Sequence, residues 1–294
     1  LSAGVYFGYD SWKGNKAVRT ALIGTGDEGG VLIGDHNPEF NEIVAVCDLR
    51  PYNLKRIFDG EKEGPRKGLN NIYGKDTAAK IARYSDYKQL LADKDKLGIE
   101  AVIIATPLHT HAPIANDCMK AGLHVLCEKL MARNITLCKD MIRTAKDTGR
   151  LLNIGHQRHY SLLYAHALEV VNSGVLGDIK HIRALWHRNN SWPLTYSDKE
   201  KEAWFTGADL NGQPCDIPAL RDGWCKPILK EDAEALLQNN GEALKAADYR
   251  TLTELSRWRL YDRTGGGLMA ELGSHQLDAS SIFLGKVHPI AVQG

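Results

Sequence analysis

The chain has 294 residues, 43% of them hydrophobic and 25% charged, enough for a sizeable core and, at roughly 150 residues per domain, for two domains. With 37 basic and 36 acidic residues the net charge is +1 and no basic run stands out, so neither nucleic acid nor an anionic membrane surface is expected as a partner. No apolar run reaches the ~18 residues of a membrane span, and the six cysteines show no CxxC pair or zinc spacing.

Residues 1–16 read as an N-terminal arm. Small and apolar residues from Leu1 to Tyr9 precede a polar stretch from Asp10 to Lys16. The tail of an export signal and an ordinary arm are both open, and with them a cytoplasmic or an exported location. Val18-Arg-Thr-Ala-Leu-Ile23 is a β-rich run ending in glycines, and a helix is expected after them, broken at Asn37-Pro38. Ile43–Cys47 is a second apolar strand, and residues 59–80 look like a polar, Gly-rich surface insertion. A short helix is expected at Tyr87–Ala92, a strand at Ala101–Ala105, and a helix at Ala112–Ala121 stopping at Gly122. His124–Cys127 follows as a strand, Ile135–Thr148 as a helix capped at Gly149, and Leu151–Ile154 as another strand. This alternation predicts a parallel sheet with helices on both faces over residues 17–155.

Beyond it, over residues 156–294, the rhythm changes. A helix at Leu162–Asn172 leads into a long strand, Ile179–His187. Residues 190–228 are irregular and rich in Trp and Pro, and Cys215 and Cys225 there could bridge in an oxidising compartment. Glu231–Ala247 is helical, Arg263–Gly267 is a turn opening a helix to about Leu284, and Val287–Val292 begins a strand.

Gly24-Thr-Gly26-Asp-Glu-Gly29 follows a strand and precedes a predicted helix, and Asp48 closes the next strand 22 residues after Gly26. In that context the glycines suit a dinucleotide. Gly24 permits the tight turn, Gly26 lets a pyrophosphate approach the backbone, and Gly29 lets helix and strand pack closely. Asp48 can accept from an adenosine ribose hydroxyl and would repel a 2′-phosphate, which favours NAD over NADP. Arg50, able to stack on adenine or contact a phosphate, weakens that preference.

Thr106-Pro107-Leu-His109-Thr-His111 stands at a strand's C-terminal end, where ligands bind in such sheets. Its imidazoles could line a nicotinamide pocket or merely serve a turn and a helix start. Glu128-Lys129 ends the next strand. A lysine in a partly dry pocket beside a cationic nicotinamide would have its ammonium form disfavoured, and could exchange a proton with a substrate hydroxyl. Glu271, His275 and Asp278 are spaced i, i+4, i+7, on one face of the predicted helix. One His with two carboxylates is a poor zinc set, so no metal is expected. A His oriented by a carboxylate fits better, and a solvated helix face is the plain alternative.

Placed together, these segments resemble the Gfo/Idh/MocA family of sugar and polyol oxidoreductases. The resemblance rests on Gly24–Gly29, Thr106-Pro107 through His111-Ala-Pro113, Gly122-Leu-His-Val-Leu-Cys-Glu128-Lys129, Gly155-His-Gln-Arg158, and Gly265-Gly-Gly-Leu-Met-Ala-Glu271-Leu-Gly-Ser-His275-Gln-Leu-Asp278. It implies an N-terminal Rossmann domain, a doubly wound parallel sheet, followed by a C-terminal α/β domain with an open, largely antiparallel sheet. It implies NAD as cofactor, with Gly24, Gly26, Gly29, Asp48, Arg50, Thr106, Pro107, His111 and Glu128 as its contacts. Lys129 and His275 would be the catalytic pair, with Glu271 in the place of the family's usual Asp. Arg158, Arg259 and Asp278 would contact the substrate, a secondary hydroxyl of a sugar or cyclic polyol. Trp186, Trp192, Trp204 and Trp224 would suit stacking on a sugar ring, or core packing.

Three departures qualify this. The family's Glu-Lys-Pro is Glu128-Lys129-Leu130, Glu271 is one methylene longer than Asp, and the chain stops as a strand is expected to begin. Two clear strands make a marginal sheet. A C-terminally incomplete substrate domain, poorly soluble alone, is therefore expected, and a homo-oligomer for the full-length chain. Glycoside cleavage through transient oxidation by a tightly held NAD shares the first step and stays open, as does a non-catalytic NAD-binding protein.

Overall fold

The computed structural model describes residues 16–187, 194–195, 220–221, 228–239, 241–267 and 269–293. The expectations for the N-terminal arm, for Trp192, Trp204 and Trp224, and for a Cys215–Cys225 bridge fall outside these residues.

The first half alternates as the apolar runs dictate. Strand β1 (Val18–Ile23) leads through the glycine turn to α1 (Asp27–Asp35), then β2 (Asn41–Cys47) and α2 (Pro51–Asp59). Two short helices, α3 (Leu69–Tyr73) and α4 (Lys75–Ala78), occupy the expected insertion. β3 (Ala82–Tyr84), α5 (Tyr87–Ala92) and α6 (Lys94–Leu97) follow, then β4 (Ala101–Ile104), α7 (His111–Lys120), β5 (His124–Glu128), α8 (Ile135–Thr148) and β6 (Leu152–Gly155). The six strands form one sheet in the order β3-β2-β1-β4-β5-β6 with every pairing parallel.

Alternate strand residues face opposite sides. Ala21, Ile23, Val102, Ile104, Val125 and Cys127 pack beneath α7 and α8 through Ala115, Cys118, Met119 and Met141. Leu22, Val46 and Ile103 pack on the other face against Ile33 of α1, Ile57 and Phe58 of α2, and Leu69 of α3. The strand order reverses between β1 and β4, and the C-terminal strand ends at such a switch point are the usual ligand position in sheets of this kind.

After β6 come α9 (Leu162–Asn172) and, much later, the two-residue antiparallel ladder β7 (Leu194–Thr195) with β8 (Leu220–Arg221). The expected open antiparallel sheet is not present among the described residues beyond that ladder. Ile179–His187 and Val287–Val292, expected as strands, are irregular, with Leu185, Val287, Ile290 and Val292 exposed. A β-run needs a neighbouring strand to take its backbone N–H and C=O groups, and neither stretch has one among these residues. The expected helix at Glu231–Ala247 divides into α10 (Lys230–Asn239) and α11 (Gly241–Ala246), followed by α12 (Leu252–Ser256). Their apolar faces make a third cluster, Ile228, Ala233, Leu236, Leu244, Tyr249, Leu252 and Leu255, against which Leu49 packs from the loop after β2. A short π-helical stretch (Met269–Gly273) then runs into α13 (Ser274–Phe283).

Candidate active site

The glycine turn has the form a dinucleotide needs. Gly24 has φ +94°, and a Cβ on it would lie 2.5 Å from the Ala105 carbonyl oxygen. A Cβ on Gly29 would meet the Gly24 oxygen at 2.1 Å, so helix α1 can approach β1 this closely only with glycine there. At Gly26 the nearest neighbour is 3.9 Å away, leaving the backbone approachable. No side chain caps the α1 N-terminus, and the N–H groups of an uncapped helix start suit a phosphate. Asp27 and Glu28 in that first turn work against an anion. The Asp27 charge is matched by Arg56, whose Nη1 lies 2.8 Å from Oδ1.

Asp48 sits where the ribose contact was predicted, and its carboxylate is already well occupied. It accepts from Thr25 N (2.8 Å), Thr25 Oγ1 (3.2 Å), Arg50 N (2.8 Å) and Asn53 Nδ2 (3.2 Å to Oδ2). Burial raises its pKa against the lowering effect of these donors. Arg50 does not point freely at a nucleotide: its Nε donates to Asp232 Oδ2 at 2.7 Å.

At the β4 end, Thr110 Oγ1 donates to the Pro107 carbonyl (2.7 Å) and can accept from the Thr106 hydroxyl (2.8 Å), which fixes the Thr106–Pro107 turn. His111 is 1% exposed, with Nδ1 2.7 Å from the Leu130 carbonyl and Nε2 2.8 Å from that of Thr106. It is a strut between two loops rather than an open pocket wall. Burial lowers its pKa. His109 Nε2 lies 2.8 Å from the Ala247 carbonyl.

At the β5 end, Glu128 accepts from the Lys129 N–H at 3.1 Å. Burial first, and then the Glu28 charge, push its carboxyl up to about 7. The Lys129–Leu130 peptide is cis. Lys129 Nζ donates to the Glu271 carbonyl at 2.9 Å, which brings the π stretch against the sheet edge. His275, one turn on, is 5% exposed. Burial and then the charges of Lys129, Arg158 and His156 lower its pKa to about 4. Lys129 and His275 thus share one neighbourhood.

Glu271 does not turn toward His275. Its Oε2 accepts from Arg259 Nε at 2.9 Å. The α-helical spacing argument does not hold here, because Glu271 lies in the π stretch, where i→i+5 bonding widens the turn. Asp278 likewise is held by protein: Oδ1 is 2.8 Å from His159 Nε2, and Oδ2 is 3.8 Å from His156 Nδ1. The predicted substrate contacts Arg259 and Asp278 therefore both carry protein partners. Arg158 lies over Trp186, 5.2 Å from the ring centroid, and Trp186 sits 4.8 Å from the His275 ring. Among the described residues no group of three His, Cys, Asp or Glu side chains is placed to hold a metal ion. Nor is any described helix long and apolar enough to cross a membrane.

Sequence reasoning missed His156, His159, Asp232 and Tyr249. Asp232 meets Arg50 across 182 residues and His159 meets Asp278 across 119, and no local pattern encodes such pairings.

Residues 18–156 match the oxidoreductase family with an NAD-binding Rossmann fold. A glycosyl hydrolase family 109 protein of Stenotrophomonas maltophilia (strain K279a) is 33% identical over 175 residues, 59% of this chain and 37% of that one. Another from Shewanella amazonensis (strain ATCC BAA-1098 / SB2B) is 29% identical over 199 residues, 66% and 41%. The chain thus spans about two fifths of the length of these relatives. The crystal structure of scyllo-inositol dehydrogenase from Lactobacillus casei with bound NAD(H) and scyllo-inositol superposes with a TM-score of 0.53 over 91% of this chain and 56% of that one, at 16% identity, a likeness of fold. Through residues 18–156, a little under half of its length, the chain matches the Gfo/Idh/MocA oxidoreductase family.

Proposed function

We propose that this protein transfers a hydride from a secondary hydroxyl of a sugar or cyclic polyol to NAD. The observation that carries this reading is the closeness of Lys129 to His275 and to the Glu271 carbonyl, on the strand-end edge where the Gly24–Gly29 turn also lies. NAD bound at that turn supplies the hydride acceptor. Gly26 and the α1 N–H groups would hold its phosphates, and Glu128 stands at the β5 edge beside Lys129. NAD is preferred to NADP because Asp48 would face a 2′-phosphate.

The remaining chemistry is proton transfer. Lys129, anchored by the Glu271 carbonyl, meets the substrate hydroxyl and takes up its proton. With its pKa lowered to about 4, His275 stays a neutral ring near pH 7, able to hydrogen-bond and orient the substrate hydroxyl while Lys129 takes the proton. Arg259 holds Glu271 and so sets the position of the carbonyl that fixes Lys129. Trp186 beside His275 offers an aromatic face to a sugar ring.

The test is a single turnover of the full chain with NAD and a panel of deuterated polyols and sugars. Reduced cofactor should form with a primary isotope effect. Absence of reduced cofactor with every compound, despite NAD binding, overturns the reading.

Glycoside cleavage through transient oxidation is the second reading, consistent with the names of the two relatives above. It differs in stoichiometry: the sugar is released while NAD is neither consumed nor exchanged.

A further inference from the structure

The segment from Ile228 to Ser256 closes over the C-terminal ends of β2 and β4. Asp232, itself buried, accepts from Arg50 Nε at 2.7 Å and from the Tyr52 N–H at 2.9 Å. Leu49 packs into the segment's apolar cluster, and the Ala247 carbonyl lies 2.8 Å from His109 Nε2. The loop after β2 carries Asp48 at the predicted ribose position, the loop after β4 stands on the other side of β1, and both are fastened to the same segment.

Tyr249 stands between them. It is 4% exposed, belongs to the cluster that receives Leu49, and meets the His109 ring edge-on with centroids 4.9 Å apart. Its hydroxyl is buried with no hydrogen-bond partner among the described residues. Burial and then the Asp48 charge push its pKa far up, so the group stays a neutral O–H. Buried hydroxyls in folded proteins are nearly always paired. This one is left over beside the carboxylate that marks the ribose position.

We propose that Tyr249 is a nucleotide-binding residue whose hydroxyl hydrogen-bonds the adenosine moiety of the dinucleotide, in a slot that segment 228–256 walls and the Arg50–Asp232 ion pair holds shut. The inference rests on the dinucleotide reading above and adds a contact to it from outside the Rossmann domain. It also changes the role of Arg50, which becomes the anchor of the wall.

The experiment is calorimetric binding of NAD, AMP and nicotinamide mononucleotide to the full chain, as wild type and as Tyr249→Phe. Phe keeps the ring in the cluster, so the unfolding temperature should not fall. Loss of one hydrogen bond should weaken NAD and AMP about tenfold and leave nicotinamide mononucleotide unchanged. Equal affinities in the two proteins overturn the proposal. So does tighter binding by the variant, which would mean that the phenol fills the slot. Asp232→Asn supplies an independent measurement: NAD should leave about tenfold faster by stopped-flow displacement, and an unchanged release rate refutes the wall. Wild type that binds neither NAD nor AMP removes the dinucleotide reading itself. Wild type that binds both while Tyr249→Phe matches it removes only this inference.

Discussion

The sheet and the segments that close over its edge are held by different chemistry. Inside the sheet the contacts are apolar and complete: Leu22, Ile104 and Val102 are fully buried, and both faces are covered by helices. Across the edge, apart from Leu49 in the third cluster and the Tyr249–His109 ring contact, the ties described above are polar. Arg50 meets Asp232, Lys129 and Arg133 donate to the carbonyls of Glu271 and Asp262, and His109 lies against the Ala247 carbonyl. Apolar packing fixes a scaffold and is indifferent to pH. A polar junction contributes less to stability per contact, but its groups can bind, titrate and move protons. On the proposed reading, the side chains that handle the proton, Lys129 and His275, stand on the junction.

The sharpest way to break this division is Lys129→Met. If the junction is the reacting site, hydride transfer should fall by ~10²–10⁴, while NAD affinity and the unfolding temperature stay near wild type. Activity within about tenfold of wild type would mean that Lys129 is only a tether for the π stretch. Next in size is the scaffold itself. Leu22→Ala, at 0% exposure, should cost about 2–5 kcal/mol in denaturant unfolding. Leu163→Ala on α9, at 81% exposure, should stay within about 0.5 kcal/mol. Similar costs at the two positions would mean that α9 is packed in solution and that the contrast between the regions is false.

The two regions were also unequally legible. β1, β2, β4 and β5 could be read because each is a short apolar run bounded by Gly, Pro or a charge; β1, β2 and β4 are buried on both faces and β5 on one. β3 could not: Ala82-Arg-Tyr84 carries no apolar run and is a strand only because β2 offers it a ladder. The helices at Leu69–Tyr73 and Lys75–Ala78 were hidden by their glycines and polar neighbours. Leu69, Ile72 and Tyr73, spaced i, i+3, i+4 and packed in the second cluster, carried the missed signal. At the site, the glycine turn and Lys129 follow from local pattern. The partners of Arg50, Glu271 and Asp278 do not, because each pairing depends on how a distant segment lands on the sheet.

The smallest effect is the most specific to the junction, because it sets one group from each region against the other. Glu128, at the end of β5, has its pKa raised by burial from 4.5 to about 7. The folded protein therefore binds this proton more tightly than the unfolded chain. That contribution is fully present below pH 4.5 and is lost as pH rises through 7. His275, on α13, has its pKa lowered from 6.5 to about 4. Its contribution is fully present above pH 6.5 and is lost as pH falls through 4. Between about 4.5 and 6.5 the two slopes oppose each other, so wild-type stability should vary little there on their account. Glu128→Gln removes the first slope, and His275→Gln removes the second. The Glu128 variant should be more stable than wild type above pH 7, by about 1–3 kcal/mol, and should lose stability steeply on acidification to pH 4.5. The His275 variant should instead gain stability over the same range. Urea titrations at half-unit steps of pH would show the two curves diverging in opposite directions from wild type. Parallel curves for all three proteins would mean that neither group is desolvated, and that the edge of the sheet is open to water where its contacts place it under cover.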